Sequence, residues 1–205
     1  MHLLIKVCTI VHGRLDDKPS DKPSDKRSDK PRPMLNVNIL VGTMTGTAQL
    51  VAQEIELAYA DAQVGIDIMF MDALDRRVFE RPGVFLLCTS TYGQGDVPDN
   101  AKAFYADLVS CRDPLAHVHY GVFALGDSTH VGTYCFGGRR FDEALAARGA
   151  RRIGEVMQHN ASGGTLPEDV ALEWFPEWLR QVGAALDTAE AHAAVAAQDT
   201  RPAGD

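Results

Sequence analysis

The chain has 205 residues, 45% hydrophobic and 23% charged, enough to bury the core of one domain without disulfides or a structural metal. Its 20 Lys and Arg stand against 28 Asp and Glu, a formal charge of −8. That balance suits a basic protein partner better than a nucleic-acid backbone, which is held by clustered Lys and Arg.

In chain order, Leu3–Val11 is apolar but short, is broken by Lys6 and is followed by no small-residue cleavage site, so it is a weak secretory signal. Residues 16–33 read DDKPSDKPSDKRSDKPRP, too polar and proline-rich to bury a core. Residues 1–33 are therefore read as a disordered, low-complexity extension. They carry a net +3, while residues 34–205 carry −11 and a single lysine, Lys102.

From Met34 onward, strand-like and helix-like patterns alternate. Strands are expected at Asn36–Val41, Ile66–Met71, Val84–Thr89, His119–Leu125 and Arg152–Gln158. Helices are expected over Gly46–Ala62, from Pro98 to about Val109, over Phe141–Ala147 and over about Val170–Leu186, where Pro176 should kink or restart the chain. Residues 34–186 then form one domain, and the Ala-rich 187–205 is expected to be a disordered tail. Repeated β–α units of this length indicate an α/β fold, a doubly wound five-stranded parallel sheet with helices on both faces. No apolar run reaches the roughly 20 residues that cross a bilayer. The cysteines Cys8, Cys88, Cys111 and Cys135 lack CxxC spacing, so neither a disulfide framework nor a metal site is indicated, and a soluble cytoplasmic protein is expected.

Ligands of such sheets bind beyond the carboxyl ends of the strands, and three loops there are unusual. The first, Gly42-Thr43-Met44-Thr45-Gly46-Thr47-Ala48, leads into a helix N-terminus, where free N–H groups and the dipole favour a phosphate. It is neither a Walker A loop nor GxGxxG, and the scarcity of lysine disfavours a triphosphate; a plain Thr-rich helix cap remains the alternative. The second loop, Thr89 to Asn100, places Tyr92 beside Gly93 and Gly95, which suits a flat ligand. The third, Gly126 to Cys135, is again rich in glycine and hydroxyls.

Thr43-x-Thr45-Gly46-Thr47, Ser90-Thr91-Tyr92-Gly93-x-Gly95-Asp96-x-Pro98-Asp99-Asn100 and Leu125-Gly126-Asp127-Ser128 resemble the three FMN loops of the flavodoxin family. The resemblance is closer to MioC-type stand-alone flavodoxins and to FMN domains of diflavin reductases of the sulfite reductase type than to typical short flavodoxins. It implies the strand order 2-1-3-4-5, FMN as cofactor, and no catalytic residue or metal. The cofactor-binding residues it implies are Thr43, Met44, Thr45, Gly46 and Thr47 at the phosphate; Thr91, Tyr92, Gly93 and Gly95 at the ring; and Leu125, Gly126, Asp127, His130 and Tyr134 in the third loop. Tyr92 would stack on one flavin face, and the Gly93 carbonyl could turn toward N5–H after reduction. The family usually has a second stacking Tyr four or five residues before the residue matching Cys135. Here those positions hold Val131 and His130, so His130 or a rearranged Tyr134 takes that face.

The resemblance implies single-electron shuttling from an NADPH-dependent flavodoxin or ferredoxin reductase to an iron–sulfur or other redox enzyme, an electron carrier rather than a stand-alone enzyme. Asp96, Asp99 and Asp127 would steer basic partners. The alternatives are a flavodoxin-like binding or regulatory module that has lost FMN, and an FMN-dependent quinone reductase. A response-regulator receiver shares the topology but needs acidic residues after the first strand, where Gly42-Thr43 stand.

Overall fold

The computed structural model describes residues 35–199; the extension 1–33 and the last residues of the tail lie outside them. Six strands form one parallel sheet: β1 (Leu35–Gly42), β2 (Val64–Phe70), β3 (Val84–Ser90), β4 (His119–Gly126), β5 (Arg151–Arg152) and β6 (Met157–Asn160). The order is β2-β1-β3-β4-β5, with β6 also paired to β4, so the expected 2-1-3-4-5 arrangement stands with its fifth strand in two pieces. The interruption spans residues 153–156, where the Ile153 carbonyl accepts from the indole N–H of Trp178 at 3.1 Å. That carbonyl is turned to α4, which explains why one expected strand is two.

Among the described residues, four α-helices flank the sheet: α1 (Thr47–Tyr59), α2 (Lys102–Ser110), α3 (Phe136–Ala146) and α4 (Pro167–Asp199). Both sheet faces are buried, so the central strands read as continuous apolar runs whose alternate residues serve opposite cores. Val37, Ile39 and Val41 of β1, with Leu86 and Cys88 of β3, pack against α1 and α4. Leu40, Phe85, Leu87 and Val122 pack on the other side with Phe104 and Phe141.

Helix α1 ends at Tyr59, short of the expected Ala62, and α2 starts at Lys102 after a 3-10 turn rather than at Pro98; two further boundaries differ more. Helix α3 begins five residues early, through Gly137-Gly138, whose lack of side chains allows close approach: a Cβ at Gly137 would lie 2.4 Å from the Ser90 carbonyl oxygen. Helix α4 runs through Pro176 without restarting and continues to Asp199, past the expected end at Leu186. Ala185 and Leu186 still touch the core. Beyond them residues 187–199, expected to be disordered, are helical, in keeping with the high helix propensity of alanine.

Candidate cofactor site

The loops that follow β1, β3, β4 and β6 meet at the carboxyl edge of the sheet around a cavity of about 450 Å³. At the first loop, the Thr43 N–H donates to Asn100 Oδ1 at 2.8 Å, and the Asn100 amide donates to the Val41 carbonyl at 3.3 Å. The Gly46 N–H donates to Thr43 Oγ1 at 2.9 Å, closing a turn whose Gly46 has φ +90°. That left-handed backbone costs an L-residue about 1–2 kcal/mol, so glycine belongs there. Helix α1 then starts with no side-chain cap and no acidic residue in its first turn. Its leading N–H groups stay available for an external anion. Thr45 and Thr47 stand with their hydroxyls 3.4 Å apart beside them.

In the second loop, Tyr92 and Asp96 exchange backbone hydrogen bonds at 2.9 and 2.8 Å, forming a tight ribbon through Gly93 and Gly95, both at positive φ. The Tyr92 side chain is half exposed. Thr91 joins this loop to its neighbours: its N–H donates to the Leu125 carbonyl, and its hydroxyl accepts from the Gly137 N–H at 3.1 Å. Gly95 is buried against Thr133 of the third loop.

The third loop is clasped to the segment after β6, which the sequence reading did not assign to the site. Asn160 Oδ1 accepts from the N–H groups of Ser128 at 2.9 Å and Ser162 at 3.1 Å. Asp127 Oδ1 accepts from the Thr129 N–H and hydroxyl and from the Ser162 hydroxyl, and these donors hold its carboxyl down to about 2. His159 is buried and offers Nε2 to the Thr165 carbonyl at 3.1 Å. His159, Ala161, Thr165, Leu166 and Pro167 all line the cavity. The available signal was Asn160-x-Ser162 directly after a strand, an Asx turn.

Of the residues expected at the site, Thr47, Thr91, Gly93, Leu125, Gly126, Asp127 and His130 line the cavity. Thr43, Met44, Thr45 and Gly46 form the turn leading to Thr47, where the Met44 sulfur accepts from the Asp99 N–H at 3.2 Å. Tyr92 and Gly95 flank Gly93 without lining the cavity. Tyr134 does not line it either: its hydroxyl donates to the Gln158 carbonyl at 3.4 Å and its ring packs on the α2–α3 core. Between the two candidates for the missing aromatic, only His130 faces the cavity. Cys135 is buried with left-handed φ of 58°, and burial pushes its thiol up to about 11, which suits packing rather than redox chemistry.

The carboxylates expected to steer partners are engaged locally. Asp96 pairs with Arg140 at 3.3 Å and Asp99 with Lys102 at 2.5 Å, which reduces their share of a long-range field, whereas Asp127 accepts only from neutral donors and keeps its charge.

A family model for flavodoxins matches residues 39–174. The chain belongs to the flavodoxin family. Among relatives, Flavodoxin YqcA of Escherichia coli (strain K12) is 36% identical over 146 residues, 71% of this chain and 97% of that protein. The NADPH sulfite reductase flavoprotein alpha-component of Shewanella sp. (strain MR-7) is 30% identical over 172 residues, 80% of this chain but 28% of that protein. Among solved structures, a C101A mutant of flavodoxin from Pseudomonas aeruginosa superposes with a TM-score of 0.64 at 29% identity, covering 72% of this chain and 98% of that one.

Flavodoxin membership brings FMN as the cofactor, and the donor set fits it. An uncapped helix start with neutral hydroxyls suits a phosphate monoester, and the mixed apolar and polar cavity is of the size that small-molecule sites have.

Proposed function

We propose that this flavodoxin carries single electrons from a separate NADPH-dependent flavodoxin or ferredoxin reductase to an iron–sulfur or other redox enzyme in the cytoplasm. The observation that carries the reading is the uncapped start of α1 beside Thr43, Thr45 and Thr47 at one end of an open cavity. FMN, when bound, supplies the ability to exchange electrons one at a time.

The residues of the chain do the rest. The first loop holds the phosphate through backbone N–H groups and hydroxyls. Gly93 has open space where a Cβ would stand, so its peptide can rotate and offer its carbonyl to an N–H that only the reduced cofactor presents. One such bond contributes about 1 kcal/mol, enough to move a one-electron couple. Tyr92, Val131 and Leu166 are exposed beside the cavity and give partners an apolar surface to dock on. The domain charge of −11 favours basic partners, through carboxylates other than Asp96 and Asp99, which are paired at the rim. No helix among the described residues is long and apolar enough to cross a membrane, and the thiols of Cys88, Cys111 and Cys135 are free, which supports a reducing setting.

Titrating the purified protein with FMN and then supplying NADPH tests this reading. A one-to-one yellow complex that oxidises NADPH only when a separate reductase is added is the expected result. Failure to bind added FMN would leave a module without redox function. Steady NADPH oxidation by the protein alone would make it a reductase in its own right.

A further inference from the structure

Among the described residues, no lysine or arginine lines the cavity. Reduction adds negative charge to a flavin, and in a partly enclosed site without a fixed cation that charge is costly. Among the described residues, three ionisable groups line the cavity: Asp127, His130 and His159. Asp127 is held anionic by the Thr129 and Ser162 donors and adds to the negative potential. His159 is 4% exposed, with Nε2 between the Thr165 carbonyl and hydroxyl, an arrangement the neutral ring satisfies by donating to the carbonyl. The first and second loops and the segment after β6 add only uncharged residues to the lining, and Glu168 and Asp169 follow in the first turn of α4.

His130 differs from both other groups. It is exposed, and among the described residues its ring makes no hydrogen bond or ion pair. Its backbone is nevertheless pinned, the N–H donating to the Asp127 carbonyl at 3.1 Å and the carbonyl accepting from the Thr133 N–H at 2.9 Å. A fixed backbone thus holds a solvent-accessible imidazole at the cavity wall.

We propose that His130 is a redox-linked proton site, whose imidazole takes up one proton when the bound cofactor gains the electron that leaves it negatively charged. The inference rests on FMN occupying this cavity. One electron comes from the reductase, one proton comes from water, and one N–H bond forms on the imidazole; no bond of the cofactor breaks. Imidazole titrates within the physiological range, whereas the tyrosine usual at this place in the family ionises near pH 10 and stays neutral. The potential of that couple therefore rises as pH falls through the imidazole range, and the imidazolium offsets the charge on the reduced cofactor.

Potentiometric titration of the FMN-reconstituted protein from about pH 5 to about pH 9 tests this, with dithionite as reductant and viologen mediators. Wild type, His130→Tyr and His130→Lys are compared. For one proton per electron, each tenfold change in proton concentration changes the equilibrium constant tenfold, about 59 mV per pH unit. The wild type should approach that slope within the titrated range. His130→Tyr should flatten the curve at a lower potential, and His130→Lys, a fixed cation, should flatten it at a higher one. A slope and potential unchanged in both variants would overturn the proposal, because the proton would then belong to the cofactor itself. Should one variant lose FMN, the other makes the same comparison. Absence of FMN binding by the wild type would instead sink the functional reading on which this rests.

Discussion

The two ends of the cavity are built by different means. At the first loop, Asn100 reaches from beyond β3 to brace Thr43, and the turn through Gly46 is closed by its own hydrogen bond. That end is backbone, braced before any ligand arrives, and has no ionisable side chain. At the third loop, the wall is made of side chains: exposed His130, and Asp127 clasped to Ser162. A phosphate needs oriented N–H groups, which a short local pattern encodes. A ring face needs one side chain in one place, and a single replacement changes its chemistry. The first end should set affinity; the third should tune the electron.

Asn100→Leu attacks the braced end and carries the largest expected effect. It removes the acceptor of the Thr43 N–H, at about 1–3 kcal/mol when buried, and the side-chain donor to the Val41 carbonyl. FMN affinity should fall roughly ten- to hundredfold in a fluorescence titration, with a lower urea midpoint; unchanged affinity would show that the brace is idle. Gly46→Ala forces a side chain into φ +90° and should cost about 1–2 kcal/mol, visible as a several-fold weaker FMN complex.

At the other end the effects are smaller, and the first is of opposite sign. His130→Tyr restores an aromatic face and should tighten FMN by about 0.5–1.5 kcal/mol, read in the same titration. A loss of affinity there would mean that His130 already stacks well. The smallest effect concerns the Asp127 clasp. Its carboxyl is depressed to about 2, so the stability it adds is present above its unfolded value near 3.9 and fades as pH falls through about 2. Ser162→Ala should narrow that acid window, measured as a smaller difference in stability between neutral and acidic pH.

The same contrast explains what the sequence made legible. The β–α alternation, the sheet order and the three loops were readable because each is a local pattern of apolar runs, glycines and hydroxyls. The early start of α3 was not, because Gly137-Gly138 is a breaker in isolation and a close contact with Ser90 in the fold. The wall from His159 to Pro167 was missed because its cohesion with the third loop comes from the distant pairs Ser128–Asn160 and Asp127–Ser162. The engagement of Asp96 by Arg140 is likewise a tertiary fact. Counting charges along the loop could not reveal it.

The affinities of the protein for FMN and for riboflavin, which lacks only the phosphate, measure the division of labour most directly. If the braced first loop sets affinity, FMN binds at least about a hundredfold tighter, a difference of about 2.8 kcal/mol, within the range of one or two charge-assisted hydrogen bonds. Equal affinities would contradict the account and move the binding energy to the ring.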